Sequence, residues 1–144
     1  MIDPNKANCY YLMMALQMLA LEQMKGNALS LDPNDEQCMK STFAAYILPW
    51  LKALPVDCQQ AFRVTLAYYL KGKDFPHVTW MAQGLSLDDP DDEHLMFTWL
   101  WDVLFPGSRP DEIDTSKVIE DDDIMGINRI QGSDLPDEYF KIDE

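Results

Sequence analysis

The amino-acid sequence predicts an all-α fold, a compact bundle of about five helices followed by an acidic C-terminal segment. Apolar residues recur at three- and four-residue spacing over most of the first 105 positions, and prolines, several preceded by Asp, stand where helices would start. No convincing alternating strand appears before residue 106. The 144 residues amount to about one domain, and a chain of this size buries roughly two-thirds of its unfolded surface without help from disulfide or metal. Hydrophobic residues at 47% and aromatics at 11% are far more than a disordered acidic chain carries.

Asp3 and Pro4 open the first helix as an N-cap followed by proline at the first helical position, where its fixed φ suits the helix and its missing N–H costs nothing. This helix is expected over roughly 4–25, stopped by Gly26 and Asn27. Apolar side chains cover most of its circumference between Tyr10 and Leu21, which predicts a central helix or one at an oligomer interface. The run from 10 to 21 is short of the ~20 residues that span a bilayer. No net positive charge precedes it and no small-residue cleavage site follows, so the mature chain is expected to start at Met1 and to work in the cytoplasm.

Asp32 and Pro33 repeat that start, and the second helix is expected over 33–53, with a kink or break near Leu48 because Pro49 lacks a donor and crowds the preceding turn. Pro55 begins a third, over 55–71, ended by Gly72, with Cys58, Phe62, Leu66, Tyr69 and Leu70 along one side. A short fourth is expected over 76–83. A fifth, over 90–105, opens at Asp89 and Pro90 and ends at Pro106 and Gly107. Residues 1–106 thus form the helical domain and 107–144 the acidic segment. That segment is either docked or disordered, since apolar residues such as Val118, Ile119, Ile124, Tyr139 and Phe140 are interleaved with its acids.

Net charge divides the chain more sharply than hydropathy does. The total is −14, yet residues 1–73 hold six acids and seven bases, a net of +1, and residues 74–144 hold nineteen acids and four bases, a net of −15. Such a field argues against direct binding to nucleic-acid phosphates or anionic lipid and favours a basic protein partner. The three cysteines, Cys9, Cys38 and Cys58, cannot all pair within one chain and show no CxxC spacing, which suits reduced thiols.

Motifs for chemistry are absent or incomplete. There is no GxGxxG, GxxxxGK[ST], HExxH or GxSxG. Asp91 and His94 share a helical face, but no further ligands of a metal-binding bundle accompany them. Asp121, Asp123 and Gly126 begin like a calcium loop, which then fails at Met125 and Gly132. Cys58 with His77 or His94 is the one conceivable nucleophile pair, and small cysteines on apolar helix faces are core residues far more often. No catalytic residue, metal or cofactor is therefore expected.

Surface chemistry remains. Trp99 and Trp101, two positions apart on the fifth helix, point about 200° from each other, so one is expected in the core and the other against solvent, the tail or another chain. Next to them stand Asp88, Asp89, Asp91, Asp92 and Glu93, an arrangement in which an aromatic anchors and charges steer. The tail adds Glu120, Asp121, Asp122, Asp123, Asp137, Glu138, Tyr139 and Phe140 to this candidate partner-binding set. The expected function is a non-enzymatic protein-binding protein: an acidic inhibitor, of immunity-protein, antitoxin or phage-blocker type, covering a basic site on a toxin or nucleic-acid enzyme. The alternative is an adaptor or secretion chaperone that holds a client through apolar helix faces, with the methionine-rich first helix as its adaptable surface. A homo-oligomer is compatible with either.

Overall fold

A computed structural model describes residues 5–24, 32–72 and 92–120. Its elements run β1 (Lys6–Ala7), α1 (Cys9–Met24), α2 (Glu36–Thr42), a π-helical turn (Phe43–Ile47), α3 (Leu48–Ala53), α4 (Val56–Leu70), α5 (Glu93–Leu104), a 3₁₀ turn (Pro110–Glu112) and β2 (Ile119–Glu120). Because α2, the π turn and α3 are continuous, the described residues contain four helices, and the fold is mostly all-α. None of these helices is long and apolar enough to cross a membrane. The helix expected over 76–83 lies outside the described residues.

The first helix starts later than its Asp-Pro signal suggests. Asn8 is its cap: its side-chain oxygen accepts from the Tyr10 amide at 2.9 Å, and its carbonyl accepts from the Tyr11 amide at 3.0 Å. Lys6 and Ala7, expected to be helical, instead form a parallel bridge with Ile119 and Glu120. A pairing partner more than a hundred residues away leaves no trace in a local pattern. The reading of α1 as a central helix holds: Tyr11, Leu12, Ala15, Leu16 and Leu19 are all at most 2% exposed.

The second Asp-Pro pair is a turn before the helix. Asp32 accepts from the Asn34 amide, and the cap proper is Asp35, whose carboxylate accepts from the amides of Gln37 at 3.1 Å and Cys38 at 3.4 Å. Pro49 does not break this second helix. Without its N–H the carbonyl four residues back loses its donor, and the chain widens into the π turn, in which the Leu48 amide reaches the Phe43 carbonyl. Ala44, Ala45 and Pro49 are exposed there, so water can satisfy the released carbonyl.

α4 closely follows its predicted span, with Pro55 at the cap position and Gly72, at φ +121°, ending it where a side chain would be strained. α5 begins at Glu93 because Asp92 caps it, accepting from the Leu95 amide at 3.0 Å; the expected opening pair Asp89 and Pro90 lies outside the described residues. Gly107, at φ +86°, turns the chain after α5 as expected.

α5 is covered on two flanks. Lys40 of α2 reaches Asp102 at 3.6 Å on one, and Arg63 of α4 lies over the rings of Trp101 and Phe105, at 5.9 and 5.8 Å from their centroids, on the other. The core joins α1, α2, α4 and α5 around Phe43, Phe62, Phe97 and Leu100, and Trp50 meets Phe62 edge-on at 5.8 Å.

Candidate functional site

The C-terminal end of α4 gathers the segments that carry the candidate acids. From the α5 side, His94 Nε2 donates to the Leu70 carbonyl at 2.6 Å, which seats the capped start of α5, with Asp92 and Glu93, beside the last turn of α4. From the C-terminal side, Lys71 Nζ donates to the Ile113 carbonyl at 2.8 Å, so the chain after α5 runs back along α4 instead of leaving the domain. Tyr69 then donates its hydroxyl to Glu120 at 3.0 Å, and Tyr68 donates to the other carboxylate oxygen at 3.4 Å. The two tyrosine rings stand edge to face at 5.2 Å.

Below this clamp, β1 fastens β2 from the other side. The Ile119 amide donates to the Asn5 carbonyl at 3.0 Å, and the buried Asn8 amide donates to the Thr65 hydroxyl at 3.2 Å in the middle of α4. Residues 107–120 are thereby docked on the helical domain, one of the two states expected for the acidic segment. The expectation for 121–144 lies outside the described residues.

Burial raises the Tyr69 hydroxyl well above the ordinary phenol range, with Cys9 and the Glu120 carboxylate pushing the same way, so the hydroxyl stays protonated as a donor to Glu120. Asp114 is held below the usual carboxylate range by hydrogen bonds from the Ser116 hydroxyl and amide.

The sequence-predicted partner residues divide three ways. Asp92, Glu93 and Glu120 are brought to the α4 end, with Asp92 and Glu120 exposed and Glu93 half-buried. Trp99 and Trp101 are both buried, at 7% and 1% exposure, so of the surroundings expected for the outer ring (solvent, the tail or another chain) solvent is excluded, and Trp101 meets the segment after α5, its indole N–H donating to the Ser108 carbonyl. Opposite directions on a helix imply one exposed ring only when a single face is covered, and α5 is covered on two. Asp88, Asp89, Asp91, Asp121, Asp122, Asp123, Asp137, Glu138, Tyr139 and Phe140 lie outside the described residues. Sequence reasoning missed Tyr68, Lys71 and His94 as tethers, and placed Tyr69 only on an apolar face. Their roles depend on carbonyls and a carboxylate distant in sequence, and the adjacent Tyr68 and Tyr69 were the only local signal.

Among the described residues no group of three or more His, Cys, Asp and Glu side chains is placed to hold a metal ion. Cys9, Cys38 and Cys58 are not joined in disulfides. Cys58 is 4% exposed, and burial, with Asp57 beside it, pushes its thiol up to about 11. In native protein at pH 8, Cys38 should react with a thiol reagent while Cys9 and Cys58 stay protected until the chain unfolds; counting labelled residues by mass checks this. A thiol with a folded-state pKa raised from 9.0 favours folding below pH 9, and that contribution is lost as pH rises towards 11. Stability should fall over this window in the parent chain, and less steeply in Cys58→Ala.

No family model matches the chain, and neither a curated protein nor a solved structure matches it.

Proposed function

We propose that this chain is a non-enzymatic binding protein whose acidic end captures a basic site on a protein partner, most specifically as an inhibitor of a toxin or nucleic-acid enzyme. The observation that supports this reading best is the meeting of acids from two distant parts of the chain on neighbouring residues of one helix. Asp92 and Glu93 are brought there through His94 at Leu70, and Glu120 through Tyr69. These acids, separated in sequence, thus add their negative potential at one end of the bundle. Such a field steers a cationic surface towards contact and discriminates against acidic ones. A site shaped for nucleic-acid phosphates is the kind of surface that answers it.

The apolar faces that a client-holding adaptor would present are used inside this chain. Met14, Met18 and Leu21 of α1 are at most 7% exposed, and the large apolar residues left in the open among the described ones, Val56, Leu95 and Ile119, are isolated from one another in sequence. That favours the inhibitor over the chaperone reading.

Capture from native cytosol at low and raised salt tests the proposal. Basic proteins should be retained at low salt and released as salt rises, and association should slow about tenfold or more for Glu93→Lys with Asp114→Lys. Recovery of no basic protein, or binding indifferent to salt, overturns the reading. Removing 121–144 alone is the informative truncation, because 107–120 help cover the domain.

A further inference from the structure

Among the described residues the strand β2 is an edge of its sheet beside the acidic end, and we infer that it is where an extended basic segment of the partner adds as a further strand. The inference rests on the function proposed above and specifies how the partner is held. In the parallel bridge, Lys6 pairs with Ile119 and Ala7 with Glu120, and the Ile119 amide donates to Asn5. Ile119 therefore turns its own N–H and C=O towards β1, and the alternation of a strand turns those of Glu120 to the opposite side. Among the described residues no third strand pairs with that side, and Ile119 is 65% exposed and Glu120 exposed.

The edge is held in place without the partner. β1 lies against α4, with Ala7 fully buried and the Asn8 amide bonded to Thr65, while Tyr69 holds the Glu120 carboxylate from the helix side. An edge ordered in advance lowers the ordering cost of pairing. Exposed strand edges recruit extended chains through main-chain hydrogen bonds, and natural proteins commonly block them with lysine, proline or a bulge. Here Lys117 is the only base between 111 and 123, against Asp111, Glu112, Asp114, Glu120, Asp121, Asp122 and Asp123. A strand in a segment rich in acids attracts a basic strand and repels a second copy of itself, since like charges directly opposite across a sheet are unfavourable. Ile119 supplies an apolar contact for one side chain of the incoming segment.

Amide hydrogen exchange at Glu120, followed with a synthetic peptide that alternates lysine with valine and with the same peptide N-methylated on alternate residues, tests the inference. The full chain alone should be monomeric and should exchange Glu120 rapidly. Adding the first peptide should slow that exchange, and the N-methylated peptide should bind about tenfold or more weakly, because it cannot pair. Equal binding of the two peptides, or binding that leaves Glu120 exchange unchanged, overturns edge pairing while leaving the acidic-capture reading intact. Absence of salt-sensitive binding by either peptide and by every basic protein of the cytosol overturns both. Slow exchange in the free chain also overturns it: with a dimeric mass the edge belongs to a second copy, and with a monomeric mass to a segment of the same chain.

Discussion

Trp101→Ala should remove about 3–5 kcal/mol of unfolding free energy, the usual cost of deleting a large aromatic from a packed interior. The ring is 1% exposed, its indole N–H donates to the Ser108 carbonyl at 3.0 Å, and it packs against Phe105 at 4.8 Å, tilted by 53°, beneath the Arg63 guanidinium. One substitution therefore opens a cavity, strips the turn after α5 of a donor and removes one of the two rings beneath Arg63. Against a typical total of ~5–15 kcal/mol this is a large fraction, and the melting temperature should drop on the order of 10 °C. Urea unfolding of the parent, Trp101→Ala and Trp101→Phe measures it. The phenylalanine variant keeps most of the volume and should lose much less. If Trp101→Ala keeps parental stability and loses only partner affinity, the ring is a surface anchor and the burial of α5 on two flanks is wrong.

Thr65→Val should cost about 1–3 kcal/mol, although it preserves shape, because it removes the hydroxyl that accepts from a buried amide. Thr65 and Asn8 are both fully buried, and their bond joins the middle of α4 to the segment that carries β1. The loss should extend to β2, which is held by β1: the Ile119 amide should exchange faster in Thr65→Val than in the parent. Thr65→Ser, which keeps the hydroxyl and sacrifices one methyl, should retain the Ile119 protection. Chemical denaturation together with amide exchange separates the two contributions. Equal Ile119 exchange in parent and Thr65→Val would show that β1 is held by packing alone.

The helices were legible in the sequence wherever their determinants are local. The apolar spacing of α4, its start after Pro55 and its end at Gly72 all derive from residues within one turn of the boundary. The starts of α1 and α2 were misplaced because Asp-Pro signals either a helix start or the turn before one. Asn8 and Asp35, a few residues further on, make the capping bonds. Pro49 was correctly identified as a disruption, but its form depended on whether the neighbouring turns could stay packed. Phe43 and Ile47 are fully buried, and holding them there favours a widened turn over a break.

The acids of the candidate site were visible as a charge asymmetry, and their gathering was not. Nothing local to Glu120 shows that Tyr69 will hold it, and nothing local to Asp92 shows that the next turn will dock on Leu70. The two tryptophans make the same point in reverse: helical angle alone left one ring to solvent, the tail or another chain, and the placement of α2, α4 and the segment after α5 around α5 buried both.

By itself the sequence determined the all-α class, most helix spans and the concentration of negative charge in the second half. Those features depend on periodicity, capping and composition, which act within a few residues or on the chain as a whole. The tertiary structure alone decided that residues 5–7 pair with 119–120, that α5 has two covered faces, and that Asp92, Glu93 and Glu120 meet at the end of α4. Each of these requires bringing distant segments together, and the free energy that does so is the burial of a shared core, which no single segment contains.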